Sequence, residues 1–148
     1  IVSLGTNAHT LSAFISHPYG MIASDAILLG EYQNPRSYGC FPLVLAEYVR
    51  SEKHLRLPEA IRKMTSFPAQ RLGLPDRGLL RDGFKADIVI FDPREVKTHA
   101  TKEDPRKYPV GIDYVIVNGN VVIDRGENTG LLKGQSLRRG RASTPSIP

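Results

Sequence analysis

Asp25 closes a short apolar run, Met21-Ile22-Ala23, through Ser24. A carboxylate delivered at the carboxyl end of a buried strand can bind a divalent metal and take a proton from water. Composition alone favours the plainer reading, in which the same residue does no more than cap the turn after the strand, where aspartate is common. His9, His17, His54 and His99 are scattered, and no two stand four residues apart as a helical metal site requires. Each reads as a surface or capping residue. Arg36 and Tyr38 fall in an irregular stretch where a guanidinium could recognise a carboxylate with its two-pronged donors, or form a surface ion pair. Cys40 is the only cysteine, which excludes an intrachain disulfide and a thiolate metal cluster. Nothing around it marks a nucleophile.

Several elements must position these groups. Asn7 is placed to cap a helix whose Leu11, Phe14 and Ile15 share one face, with His17-Pro18 ending it. Met21 to Ala23 reads as a buried strand. From Ile27 to Pro42 the glycines and prolines predict a long loop, with Tyr32, Tyr38 and Phe41 arguing for order. Leu43 to Arg50 has helical spacing, and Pro58 sits where a first helical turn tolerates proline. In the helix that continues to Met64, Ala60, Ile61 and Met64 share a face while Arg62 and Lys63 point elsewhere. Ala69 to Leu72 forms a further turn closed by Gly73.

After Gly73 the pattern changes to strands. Gly78-Leu79-Leu80 leads to a tight turn at Asp82-Gly83, and Ala86 to Phe91 is the clearest strand, ended by Asp92-Pro93. Tyr114 to Val117 and Val121 to Ile123, joined by Asn118-Gly119, predict a hairpin with a type I′ turn. The polar stretch from Arg94 to Gly111 reads as a surface excursion.

Composition narrows the function classes. The 148 residues are 41% apolar and 24% charged, ordinary for a folded domain. Apolar runs such as Ile88 to Phe91 are far shorter than the roughly 20 residues of a membrane span, so no membrane partner is expected. A secretory layout is absent from the first residues, and the single cysteine fits a reducing, cytoplasmic setting. The chain opens on Ile1, as a fragment of a longer protein would. Much of the net charge of +5 sits in Lys133, Arg138, Arg139 and Arg141 without interleaved aromatics, which predicts a solvated tail and no nucleic-acid partner.

Four stretches carry a resemblance. They are His17-Pro18-Tyr19-Gly20-Met21-Ile22-Ala23-Ser24-Asp25, Asn34-Pro35-Arg36-Ser37-Tyr38-Gly39-Cys40-Phe41-Pro42, Lys63 to Leu74, and Gly83 to Pro93. Together with Val117-Asn118-Gly119 and Asn128-Thr129-Gly130, their order and spacing resemble the end of the D-aminoacylases (N-acyl-D-amino-acid deacylases) of the metal-dependent amidohydrolase superfamily. The Lys85-Ala86-Asp87-Ile88-Val89 element is common to the superfamily, whereas the Pro35-to-Gly39 loop points to the deacylases. Two positions depart from the usual pattern: Asn34 stands where relatives often carry histidine, and Ala26 where they often carry glycine.

The resemblance implies an α/β fold, with the last units of a (β/α)8 barrel followed by strands of a small composite β-sandwich. Residues 1–74 would be the barrel end, 75–137 the sandwich strands and 138–148 a basic, poorly ordered tail. It implies that Asp25 holds a metal, usually zinc, and handles the catalytic proton, and that Arg36, Ser37 and Tyr38 border the substrate pocket. The substrate would be an N-acyl-D-amino acid or a similar small amide. Zinc catalysis needs about three protein ligands, and the family's other ligands have no counterpart here. The expectation is therefore an incomplete unit, inactive and metal-free alone, that needs the missing barrel portion or self-associates. The alternative is a non-catalytic relative serving assembly or binding.

Overall fold

The computed structural model describes residues 8–30 and 32–137, so the Asn7 cap and the basic tail lie outside the described residues. Helix α1 (Ala8–Ser16) turns Leu11 and Ile15 inward and leaves Phe14 exposed. The backbone reverses at His17–Gly20, where the Gly20 N–H donates to the His17 carbonyl at 2.9 Å. The following run, Met21 to Ala23, joins no β-ladder among the described residues. It is held instead by the Ile22 N–H, which donates to the Lys63 carbonyl at 3.1 Å. A strand needs a neighbour to bond, and the described residues supply none here.

The stretch expected to be a loop as far as Pro42 is helical from Arg36. Helix α2 (Arg36–Leu43) starts where the Asn34 side-chain oxygen accepts the Arg36 N–H at 3.1 Å. Gly39 and Pro42, read as loop punctuation, belong to this helix for separate reasons. A Cβ at Gly39 would collide with the Thr98 side chain, so glycine lets the two segments close. Pro42 lacks the N–H for the α-helical ladder, and the continuing turns widen into a π-helical segment, Val44–Ser51. At its end the Glu52 N–H reaches the Glu47 carbonyl, five residues back, at 2.7 Å.

Helix α3 (Leu57–Met64) begins with proline in its first turn, as expected, and α4 (Ser66–Leu72) follows after a sharp bend at Thr65. One expectation fails within α3. Lys63 does not point away from the core but is completely buried. It lies three residues after buried Ala60, on the same helical face.

No strand forms at Gly78 to Leu80, although Asp82-Gly83 makes the expected turn, with the Phe84 N–H donating to Arg81 at 3.0 Å. Strands β1 (Ile88–Phe91), β2 (Ile112–Val117), β3 (Asn120–Asp124) and β4 (Glu127–Asn128) make one antiparallel sheet in chain order. Asn118 and Gly119 take positive φ angles of 48° and 78°, the type I′ geometry predicted for the β2–β3 turn.

Asp87, at the head of β1, fastens this sheet. The Asp87 carboxylate accepts the Asn118 N–H at 2.8 Å and pairs with the Arg77 guanidinium, which also donates to the Asn118 side chain at 2.7 Å. The Arg94–Gly111 excursion is not wholly at the surface, because Val96 is fully buried among Val44, Leu45, Leu55 and Ala60. Arg50 ties this insertion down by donating to the carbonyls of Pro93 and Val96 at 3.0 and 2.8 Å. Ile22 packs against the same core, which anchors the segment leading to Asp25.

Candidate active site

Asp25 lies three residues past Ile22, with its side chain 78% exposed. Its φ of 47° places it in the left-handed region, which few side chains other than asparagine and aspartate occupy readily. Arg36, at the first turn of α2, holds this conformation. Its Nη2 donates to Asp25 Oδ2 at 2.7 Å and its Nε to the Asp25 carbonyl at 3.2 Å. Among the described residues the Asp25 carboxylate accepts its hydrogen bond from the Arg36 side chain.

The α2 start sets the neighbouring groups. Besides the Asn34 side chain, the Asn34 and Pro35 carbonyls accept the N–H groups of Ser37 and Tyr38 at 2.9 and 3.1 Å. The Ser37 hydroxyl is buried without a partner among the described residues. The Tyr38 ring meets Tyr108 edge-on at 5.7 Å between centroids. Two residues further along α2, Cys40 Sγ lies 3.7 Å from the Ala23 carbonyl, and burial raises its thiol pKa. Tyr108, which packs on Tyr38, carries no local sequence signal of its place here.

Arg36 carries five N–H donors. Two are engaged by Asp25, and the remaining three can meet a further anion. His17, His54 and His99 do not join this cluster, and the His9 side chain lies outside the described ones. His17 Nδ1 accepts the Tyr19 N–H at 3.3 Å, His54 faces Glu52 at 3.1 Å, and His99 is exposed. No group of three metal-ligating side chains occurs among the described residues. A catalytic zinc site takes about three protein ligands and keeps a fourth position open, a set that the described residues do not assemble around Asp25.

Residues 21–123 match a profile of the Amidohydrolase family (Amidohydro_3). This chain belongs to that family. It is similar to the N-acyl-D-aspartate deacylase of Alcaligenes xylosoxydans xylosoxydans, with 42% identity across 89% of this chain and 26% of the relative. The D-aminoacylase of the same organism is also 42% identical, over 82% of this chain and 25% of the relative. A crystal structure of D-aminoacylase superposes with a TM-score of 0.87 at 36% identity, covering 90% of this chain and 28% of the other. The N-acyl-D-glutamate deacylase of Bordetella bronchiseptica, solved with zinc and a phosphonate inhibitor, superposes at 0.77 and 34% identity, covering 87% and 28%. The chain thus spans about a quarter of the length of the curated relatives it matches. Among the described residues no helix is long and apolar enough to cross a membrane.

Proposed function

We propose that these residues form the carboxyl-terminal part of a zinc-dependent hydrolase that cleaves the amide bond of N-acyl-D-amino acids, with Asp25 as metal ligand and catalytic carboxylate. The observation that carries this reading is the Asp25–Arg36 pair, on a family match whose relatives include N-acyl-D-amino-acid deacylases at 42% identity. The bound metal would supply Lewis acidity and lower the pKa of water. Asp25 takes a proton from the attacking water and passes it to the departing nitrogen, so a carboxylate and a free D-amino acid leave. The free donors of Arg36 receive the substrate carboxylate, with Ser37 and Tyr38 bordering it.

The remaining ligands and barrel strands come from segments outside these residues. Support comes from the apolar side chains left facing water, among them Phe14, Leu28, Leu29, Leu80 and Leu132. Residues 1–74 and 75–137 then serve as the barrel end and the sandwich strands. The 148-residue chain alone should bind no zinc tightly and release no product.

The test is a stereospecific assay of the full-length zinc-loaded protein. Release of D-amino acids from N-acyl substrates, with little action on L-enantiomers, is the expected result. A zinc-loaded protein that hydrolyses neither would overturn the reading.

A further inference from the structure

Lys63 is a charged side chain with no exposed surface, and it does not pair closely with a carboxylate. Glu59 Oε1 is 4.0 Å from its ammonium, and both Glu59 oxygens accept from Arg62 at 2.8 Å. Lys63 Nζ instead donates to two backbone carbonyls, those of His17 and, at 2.9 Å, Gly20. Burying an ammonium is costly unless its donors are satisfied, and burial here lowers its pKa. A side chain needed only to fill space would be better served by methionine or leucine.

The bonds of Lys63 converge on one short segment. Its side chain grips both ends of the His17–Gly20 turn, and its own carbonyl accepts the Ile22 N–H at 3.1 Å. Gly20 fits against this grip: a Cβ there would come within 2.6 Å of the Phe14 carbonyl and 3.6 Å of Lys63 Nζ. Among the described residues the segment joins no ladder, and these bonds, a longer one from Arg62 to the Pro18 carbonyl, the core contact of Ile22 and Arg36 hold it. Asp25 follows Ile22 by three residues, too short a span to absorb a displaced turn.

We infer that Lys63 is a positioning residue for Asp25, acting through the His17–Gly20 turn and Ile22. The inference rests on the deacylase reading above. Its role is to hold the backbone that presents the carboxylate, without touching substrate.

The test uses Lys63→Met in the full-length zinc-loaded protein, alone and combined with Asp25→Asn. Lys63→Gln, which keeps an uncharged N–H donor group for the carbonyls but on a shorter stem, replaces it if the methionine variant does not fold. The expected result is a turnover number per bound zinc at least about tenfold lower with KM within about threefold, and no further loss in the Asp25→Asn background. Amide hydrogen exchange at Ile22 should rise at least about tenfold while Ala60 in α3 stays unchanged. Turnover within about twofold of the parent, an equal loss in the Asp25→Asn background, or uniform acceleration of exchange overturns the inference. A parent without deacylase activity defeats the functional reading instead, and exchange at Ile22 and Ala60 then decides for or against the clamp.

Discussion

Arg36 holds Asp25 at two points, donating from Nη2 to the carboxylate at 2.7 Å and from Nε to the main-chain carbonyl at 3.2 Å. One guanidinium thus orients the carboxylate and stabilises the left-handed backbone beneath it. The pair spans eleven residues of sequence, so it joins the end of the Ile22 segment to the start of α2.

Arg36→Lys tests whether this guanidinium also receives substrate. Lysine keeps the charge but not the planar fork. Loss of a charge-assisted pair is worth about 1.5–3 kcal/mol, so KM for an N-acyl-D-amino acid should rise about tenfold to a hundredfold. A carboxamide analogue, which lacks the substrate carboxylate, should lose little between parent and variant. Equal losses on both substrates would restrict Arg36 to holding Asp25.

The Asp87 knot should matter for stability and not for the reaction. Asp87→Ala strands the Asn118 N–H and leaves Arg77, whose side chain is 10% exposed, without its carboxylate. Chemical denaturation of the full-length protein should show a loss of about 1–3 kcal/mol with KM unchanged. A change below about 0.5 kcal/mol would place the knot among ordinary surface contacts.

Acid stability should depend on Asp92. Hydrogen bonds from the Arg94 side chain and backbone hold its carboxyl at about 2, below its ordinary 3.8. A depressed folded-state pKa gives stability that is fully present above 3.8 and lost as pH falls through about 2. The melting temperature of Arg94→Ala should therefore lie below the parent's near neutrality, and the gap should close as pH falls across that window. A gap independent of pH would contradict this assignment.

Local chemistry makes part of this fold legible in the sequence. Asn118-Gly119 specified the hairpin because few other residue pairs accept two positive φ angles, and Pro58 marked the start of α3. Helix α2 was hidden because Gly39 and Pro42 signal loops locally, whereas Gly39 answers to Thr98, far along the chain. Met21 to Ala23 had the composition of a strand but found no neighbour among the described residues. Asp25 and Arg36 were each readable as chemical groups, yet their mutual bond depends on a turn geometry that residue spacing does not encode. The spacing points Lys63 away from the apolar face because lysine is seldom buried, whereas two distant carbonyls, with Glu59 at 4.0 Å, make its burial tolerable.

The central claim is that Asp25 is the catalytic carboxylate, and Asp25→Asn in the full-length zinc-loaded protein tests it most directly. Asparagine preserves shape and still accepts a hydrogen bond from Arg36 but cannot take a proton at neutral pH. General-base removal costs a factor of about 10² to 10⁴, so turnover should fall at least about a hundredfold while the melting temperature barely moves. Zinc content measured on the same sample separates lost chemistry from lost metal. Near-normal turnover with zinc bound would contradict the assignment.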